Sequence, residues 1–161
     1  MAQHETQYEV WSAERAQSLI QSHVGREGPL LPILHDLQVA FGYIPEPAVP
    51  MVADALNLTR AEVYGVVTFY HDFRREPAGR HVLKLCRAEA CQAAGGDALA
   101  ARAEAKLATE MGGTSADGRV TVEPVYCLGL CACAPSAMLD GRLVGRLDEQ
   151  GLDALLTEAQ S

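Results

Sequence analysis

The sequence predicts an α/β protein: a helical N-terminal domain followed by a small sheet with helices packed on it. Three observations carry this. Ahead of residue 73 apolar side chains recur at three-to-four spacing, the mark of amphipathic helices. After residue 80 short alternating stretches interleave with helical ones, the mark of an α/β layer. Between them the polar Pro/Gly stretch "FRREPAGRH", Phe73 to His81, reads as a linker or long turn. The expected domains are residues 1–75 and 76–161.

In the first domain "WSAERAQSLIQSHV" is a helix with Ser12 as N-cap and Trp11 as its anchor. "GPLLPILHDLQVAFG" is a second, with Leu30, Ile33, Leu34, Leu37, Ala40 and Phe41 on its apolar face and Gly42 closing it. "YIPEPAVPMVADALNL" is a third, its prolines gathered near the start, where a missing N–H costs nothing. The fourth opens on a capping box, Thr59 followed by Glu62, and runs through "VYGVVTFY" despite that stretch's strand-forming side chains. Val63, Val66, Val67, Phe69 and Tyr70 there form a dense apolar group, most of it expected in the core and the rest available as a docking surface.

In the second domain "HVLKL" is a strand ending at Cys86. A helix is expected from Asp97, as N-cap, to Met111, with Leu99, Ala103, Leu107 and Met111 buried and Gly112 and Gly113 stopping it. "RVTVEPVYC" is the next strand, where Pro124 implies an edge position or a bulge. A helical crossover makes these first two strands parallel. "SAMLDGRLVGRL" is a hairpin turning at Asp140-Gly141, and "DEQGLDALLTEA" is the last helix.

The chain of 161 residues is 48% hydrophobic and 21% charged, enough to bury a core. Its net charge is −8, and each half holds more acidic than basic residues, 10 against 6 up to Arg80 and 11 against 7 beyond it. That balance disfavours nucleic acid and anionic membranes as partners. No apolar run reaches transmembrane length, so no direct membrane insertion is expected. The acidic start "MAQHETQYEVWSAERAQ" lacks the pattern of a secretory signal, and the expected location is cytoplasmic.

In a reducing compartment clustered cysteines read as metal or redox groups before disulfides. Four residues separate Cys86 from Cys91 and three separate Cys127 from Cys131, with 35 between the pairs. Each pair follows a predicted strand, and neighbouring parallel strands end at the same sheet edge, so four thiolates can meet there. The glycines in "CQAAGG" and "CLG" would let backbone approach a cofactor and aim N–H groups at sulfide. Zinc ribbons favour two-residue gaps, whereas the wider gaps here suit a two-iron cluster with two cysteines per iron. Structural zinc and thiol redox chemistry stay open on spacing alone. Cys133, one residue beyond Cys131, is poorly spaced as a further ligand and reads as packing beside the site.

These residues resemble the thioredoxin-like [2Fe–2S] ferredoxins, a family that includes the 24-kDa (E-type) subunit of NADH dehydrogenase and the gamma subunit of NAD-dependent formate dehydrogenase. The resemblance spans about Pro29 to Leu156. It rests on "GYIPEPAV", "LTRAEVYGVVTFYHDF", "HVLKLCRAEACQAAGGD" and "PVYCLGLCACAPSAMLDG". It implies a thioredoxin-like domain behind a helical one, and one cluster held by Cys86, Cys91, Cys127 and Cys131. It implies no catalytic residue in the chain itself. The insert "RAEA" in the first pair, where respiratory relatives tend to carry Gly-Thr, and the chain's end soon after the last helix point to the formate dehydrogenase gamma subunit. On that reading FMN and NAD lie on one partner subunit and a molybdenum cofactor on another, catalytic one. The alternatives are the corresponding subunit of NADH:quinone oxidoreductase or of an NAD-linked hydrogenase. Outside the family they are a zinc-stapled binding module or a thioredoxin-like thiol reductase. No Gly-x-Gly-x-x-Gly or Walker loop is present, so nucleotide binding is assigned to partners.

Arg87 and Glu89, inside the first cysteine loop, read either as tuning or docking residues or as solvated loop charge. None of His4, His23, His35, His71 and His81 forms a pair at ligand spacing, and each reads as surface or linker, with His71 the one to watch.

Overall fold

The computed structural model describes residues 8–161, so His4 and the start of the acidic leader lie outside the described residues. The described chain divides into two compact units, one ending at Pro77 and the other running from Ala78 to Ser161.

The helical unit holds α1 (Ala13–Gln21), α2 (Leu30–Phe41), α3 (Ala48–Leu56) and α4 (Arg60–Phe69). The starts of α1 and α4 follow from their caps. The Ser12 side chain accepts from the Arg15 N–H, and both arms of the Thr59/Glu62 capping box form. Gly42 ends α2 at φ +82°, and a Cβ there would fall 2.6 Å from the Tyr8 ring, so the position needs glycine twice over. The strand-forming run in α4 is helical because Val63 and Val67, four apart, both reach the buried core alongside Ile20, Ile33, Leu34, Leu37 and Val52. Trp11 meets Phe41 edge-on, with ring centroids 5.1 Å apart. Phe69 and Tyr70 lie outside this core and are exposed. His23 departs from its surface expectation. It is buried, with Nε2 2.6 Å from Asp36 and Nδ1 3.3 Å from the Arg26 guanidinium. Those partners come from the turn after α1 and from α2, and they satisfy a polar ring that burial would otherwise penalise.

The second unit holds β1 (His81–Cys86), α5 (Glu89–Ala93), α6 (Gly96–Leu107), β2 (Val120–Val125), β3 (Ala137–Leu139), β4 (Arg142–Val144) and α7 (Glu149–Gln160). The four strands form one sheet in the order β2-β1-β3-β4. β1 and β2 are parallel, with Cys86 in register with Val125, and β3 runs antiparallel to β1. Asp140 and Gly141 turn the β3–β4 hairpin, both at positive φ, as a two-residue turn of matching twist requires. Pro124 lies on β2, an outer strand of this order. Farther back, β2 exchanges backbone bonds with Gly112, Gly113 and Ser115, which cover its edge. Leu83, Val120, Val122 and Ala137 from the sheet pack with Leu99, Ala103 and Leu107 of α6 and Leu152, Leu155 and Leu156 of α7. Truncating fully buried Leu83 to Ala would cost about 2–5 kcal/mol.

Two expectations for α6 are corrected. Its N-cap is Gly95 at φ +94°, and Asp97 sits in the first turn, where its carboxylate accepts from Arg87. The helix ends at Leu107 because Ala108 turns left-handed, and Met111 packs on the same core from beyond the helix end.

Candidate functional site

The two cysteine loops leave the same edge of the sheet, as parallel neighbours must. Cys86 is the last residue of β1, Cys91 lies within α5, and Cys127 follows the end of β2 by two residues. Cys131 opens a short 3-10 turn to Cys133. All five cysteines are free thiols. Backbone bonds lock the loops to the sheet: the Arg87 N–H donates to the Val125 carbonyl at 2.8 Å and the Cys86 N–H to the Ser136 carbonyl at 3.0 Å.

α5 brings Cys91 back toward Cys86, and glycine makes the fit possible. A Cβ on Gly96 would fall 2.6 Å from the Cys91 carbonyl oxygen. The glycine is therefore needed for one loop strand to pass another, a simpler role than approach to a cofactor. Gly129 does turn an N–H to sulfur: it donates to Cys127 Sγ at 3.3 Å.

The four thiols stand as two pairs. Cys127 and Cys131 have their sulfurs 3.6 Å apart and are exposed, whereas Cys86 and Cys91 are buried. The pairs also sense each other. Burial pushes the Cys86 thiol up, but hydrogen bonds from the Ala88 N–H, the Cys91 thiol and the Leu128 and Cys127 N–H groups outweigh it, leaving Cys86 below the ordinary thiol range. Two of those amides belong to the second loop. The Cys131 thiol is pushed up, first by its hydrogen bond to Cys127 and that group's negative charge, then by burial and by the charges of Cys91 and Cys86. Cys127 itself sits at φ +110°, a conformation non-glycine residues rarely adopt. Strain of this kind collects at functional sites. Among the described residues, no three side chains close on a single point as one bare metal ion would need.

The donor set suits an iron–sulfur group: four thiols at one sheet edge, with N–H groups directed at their sulfurs. Beside them the Arg87 Nε is buried without a hydrogen-bond partner, although its guanidinium pairs with Asp97 at 2.9 Å. Glu89 is exposed in the first turn of α5. Cys133 is half-buried and packs on Gly145, where a Cβ would fall 2.9 Å from its own Cβ. Ser136, buried with its Oγ 3.5 Å from Cys91 Sγ, had no signal in the sequence beyond closing the cysteine stretch. Of the described histidines, His81 clasps Asp140 at 2.7 Å and His71 is exposed.

Among the described residues no helix is long and apolar enough to cross a membrane. The family model for thioredoxin-like [2Fe–2S] ferredoxins matches residues 16–160. The chain is 36% identical over 115 residues to the E subunit of the NADH-quinone oxidoreductase of Pseudomonas aeruginosa, covering 71% of this chain and 69% of that protein. It is 38% identical over 131 residues to the E 2 subunit of the NADH-quinone oxidoreductase of Rhizobium meliloti, covering 81% and 78%. It is 33% identical over 139 residues to the HndA subunit of the NADP-reducing hydrogenase of Solidesulfovibrio fructosivorans, covering 86% and 81%. Among solved structures, an NAD+-reducing [NiFe]-hydrogenase in the air-oxidized state matches with a TM-score of 0.69 at 30% identity over 81% of this chain, which spans only 22% of that hydrogenase chain.

These relatives overturn the assignment to a formate dehydrogenase gamma subunit, and the molybdenum-bearing partner falls with it. The physical reason is visible in the "RAEA" insert. Arg87 pairs with Asp97 of its own domain at 2.9 Å and Glu89 is exposed in the first turn of α5, so neither residue's contacts within this chain specify a partner. With its helical region followed by a thioredoxin-like domain, the chain belongs to the thioredoxin-like [2Fe–2S] ferredoxin family.

Proposed function

We propose that the chain is a non-catalytic electron-transfer subunit of an NAD-linked oxidoreductase complex, of the kind formed by NADH-quinone oxidoreductases or NAD(P)-reducing hydrogenases. One [2Fe–2S] cluster would be held by Cys86, Cys91, Cys127 and Cys131, in a domain comprising residues 76–161 behind a helical domain of residues 1–75. FMN and NAD would sit on a neighbouring subunit, and the complex would face the cytoplasm. The observation that carries this is the placing of both cysteine loops at one sheet edge: Cys86 is in register with Val125, the Arg87 N–H donates to the Val125 carbonyl at 2.8 Å and the Cys86 N–H to the Ser136 carbonyl at 3.0 Å, which makes one site of two loops.

When bound, the cluster supplies a one-electron carrier. The chain's own residues do the rest. Two buried and two exposed thiolates would hold the group at the protein surface, within reach of a docked partner. The Ala88, Cys127, Leu128 and Gly129 amides would stabilise negative charge on the sulfurs, which raises the reduction potential. The test is purification of the full chain from its native host. Iron and acid-labile sulfide with a visible spectrum that bleaches on reduction, and a flavin-bearing subunit that co-purifies, are the expected results. A colourless protein with stoichiometric zinc would sink the reading.

A further inference from the structure

We infer that the Ser136 hydroxyl is a redox-tuning donor: it hydrogen-bonds Cys91 Sγ and raises the reduction potential of the cluster, an inference that rests on Cys91 being a ligand. Ser136 is 3% exposed and Cys91 1%, and Oγ lies 3.5 Å from Sγ. Either atom is a possible donor between a hydroxyl and a free thiol. A metal-bound thiolate has no proton to give, so the sulfur accepts and the hydroxyl donates.

The hydroxyl is held in place from several sides. The Ser136 carbonyl accepts from the Cys86 N–H at 3.0 Å, and the preceding Pro135 carbonyl accepts from Leu147 at 2.9 Å. The following residue, Ala137, is paired with Leu85 on one side and Val144 on the other. Ser136 is therefore a positioned side chain on the buried pair of sulfurs, where no water competes for the bond. Reduction adds negative charge to the cluster and its ligands. An O–H dipole aimed at a ligand sulfur stabilises that added charge more than the oxidised state, and low local dielectric strengthens the effect. Ser136 is a positioning residue: it acts on the cluster through Cys91.

The test compares full-length wild type, Ser136→Ala and Ser136→Thr, each assayed for iron, sulfide and visible absorption and then titrated to its midpoint potential. Ser136→Ala is expected to keep its cluster and to lose about tenfold in the one-electron reduction equilibrium, a fall of about 59 mV. Ser136→Thr keeps the hydroxyl and is expected to titrate with the wild type. An Ala variant with full iron and sulfide and the wild-type midpoint overturns the inference, as does a Thr variant displaced as far as Ala. Should Ser136→Ala fail to assemble, Ser136→Gly takes its place: it also lacks the hydroxyl, the same fall in midpoint is expected, and a wild-type midpoint with full iron and sulfide overturns the inference. Absence of iron and sulfide from the wild type would instead overturn the ligand assignment itself.

Discussion

Gly96 passes Cys91 so closely that a Cβ on the glycine would stand 2.6 Å from the Cys91 carbonyl oxygen. The obstacle is backbone on both sides, with the Cys86 carbonyl oxygen a further neighbour at 3.6 Å, so no flexible side chain can move aside. Gly96→Ala is expected to cost about 1–3 kcal/mol of unfolding free energy and to displace α5. Iron content after reconstitution should fall with it. Gly65, in the exposed middle of α4 with open space around it, is the control. Gly65→Ala should stabilise by about 0.5–1 kcal/mol and leave iron content alone, both read by urea denaturation and iron assay.

The acid limb of stability should depend on Asp153. Its carboxylate accepts from Arg102 in a two-pronged pair at 2.9 and 2.8 Å and lies 2.8 Å from Lys106, joining α7 to α6. The Arg102 hydrogen bond, then that of Lys106, hold its pKa well below the usual carboxylate range. Because the folded value is depressed, the contribution is fully present above the unfolded value, about 3.9, and is lost progressively as pH falls below it. Asp153→Asn should lower stability at neutral pH and flatten the decline in acid. Thermal melts from pH 7 to pH 2 check this, and a decline as steep in the Asp153→Asn variant as in wild type would contradict it.

Thr59 offers a test confined to the helical unit. Its side chain accepts from the Glu62 N–H at 3.2 Å while the Glu62 carboxylate accepts from the Thr59 N–H at 2.8 Å. Thr59→Ala breaks the reciprocal cap and should cost about 1 kcal/mol. Denaturant unfolding followed at Trp11, which packs on that unit's core, reads the loss; cysteine-bound iron should be unchanged.

The sheet edge that gathers the cysteines was legible because its causes are local and periodic. "HVLKL" and "RVTVEPV" alternate, the stretch between them carries a helix, and a helical crossover makes neighbours parallel; the meeting of both loops follows. α5 was not legible, since five residues are too few to show a period and its N-cap, Ala88, offers no side-chain bond. The end of α6 was misread because Met111 continues the apolar stripe, while the left-handed turn at Ala108 leaves no mark in an alanine. Burial of His23 depended on Asp36, 13 residues away, and Ser136 gained its place only when β3 was laid beside β1. The partner complex was out of reach for a related reason: the choice rested chiefly on one short loop insert, whose Arg87 pairs with Asp97 of its own domain and whose Glu89 is exposed.

Everything proposed for the site turns on which sulfurs carry the cluster. The measurement is iron and acid-labile sulfide per chain, with EPR of the reduced protein, across Cys→Ser variants at residues 86, 91, 127, 131 and 133. Loss or marked destabilisation of the cluster at Cys86, Cys91, Cys127 and Cys131, with wild-type content and spectrum in Cys133→Ser, is the predicted result. A cluster that survives Cys131→Ser but is abolished by Cys133→Ser would contradict it.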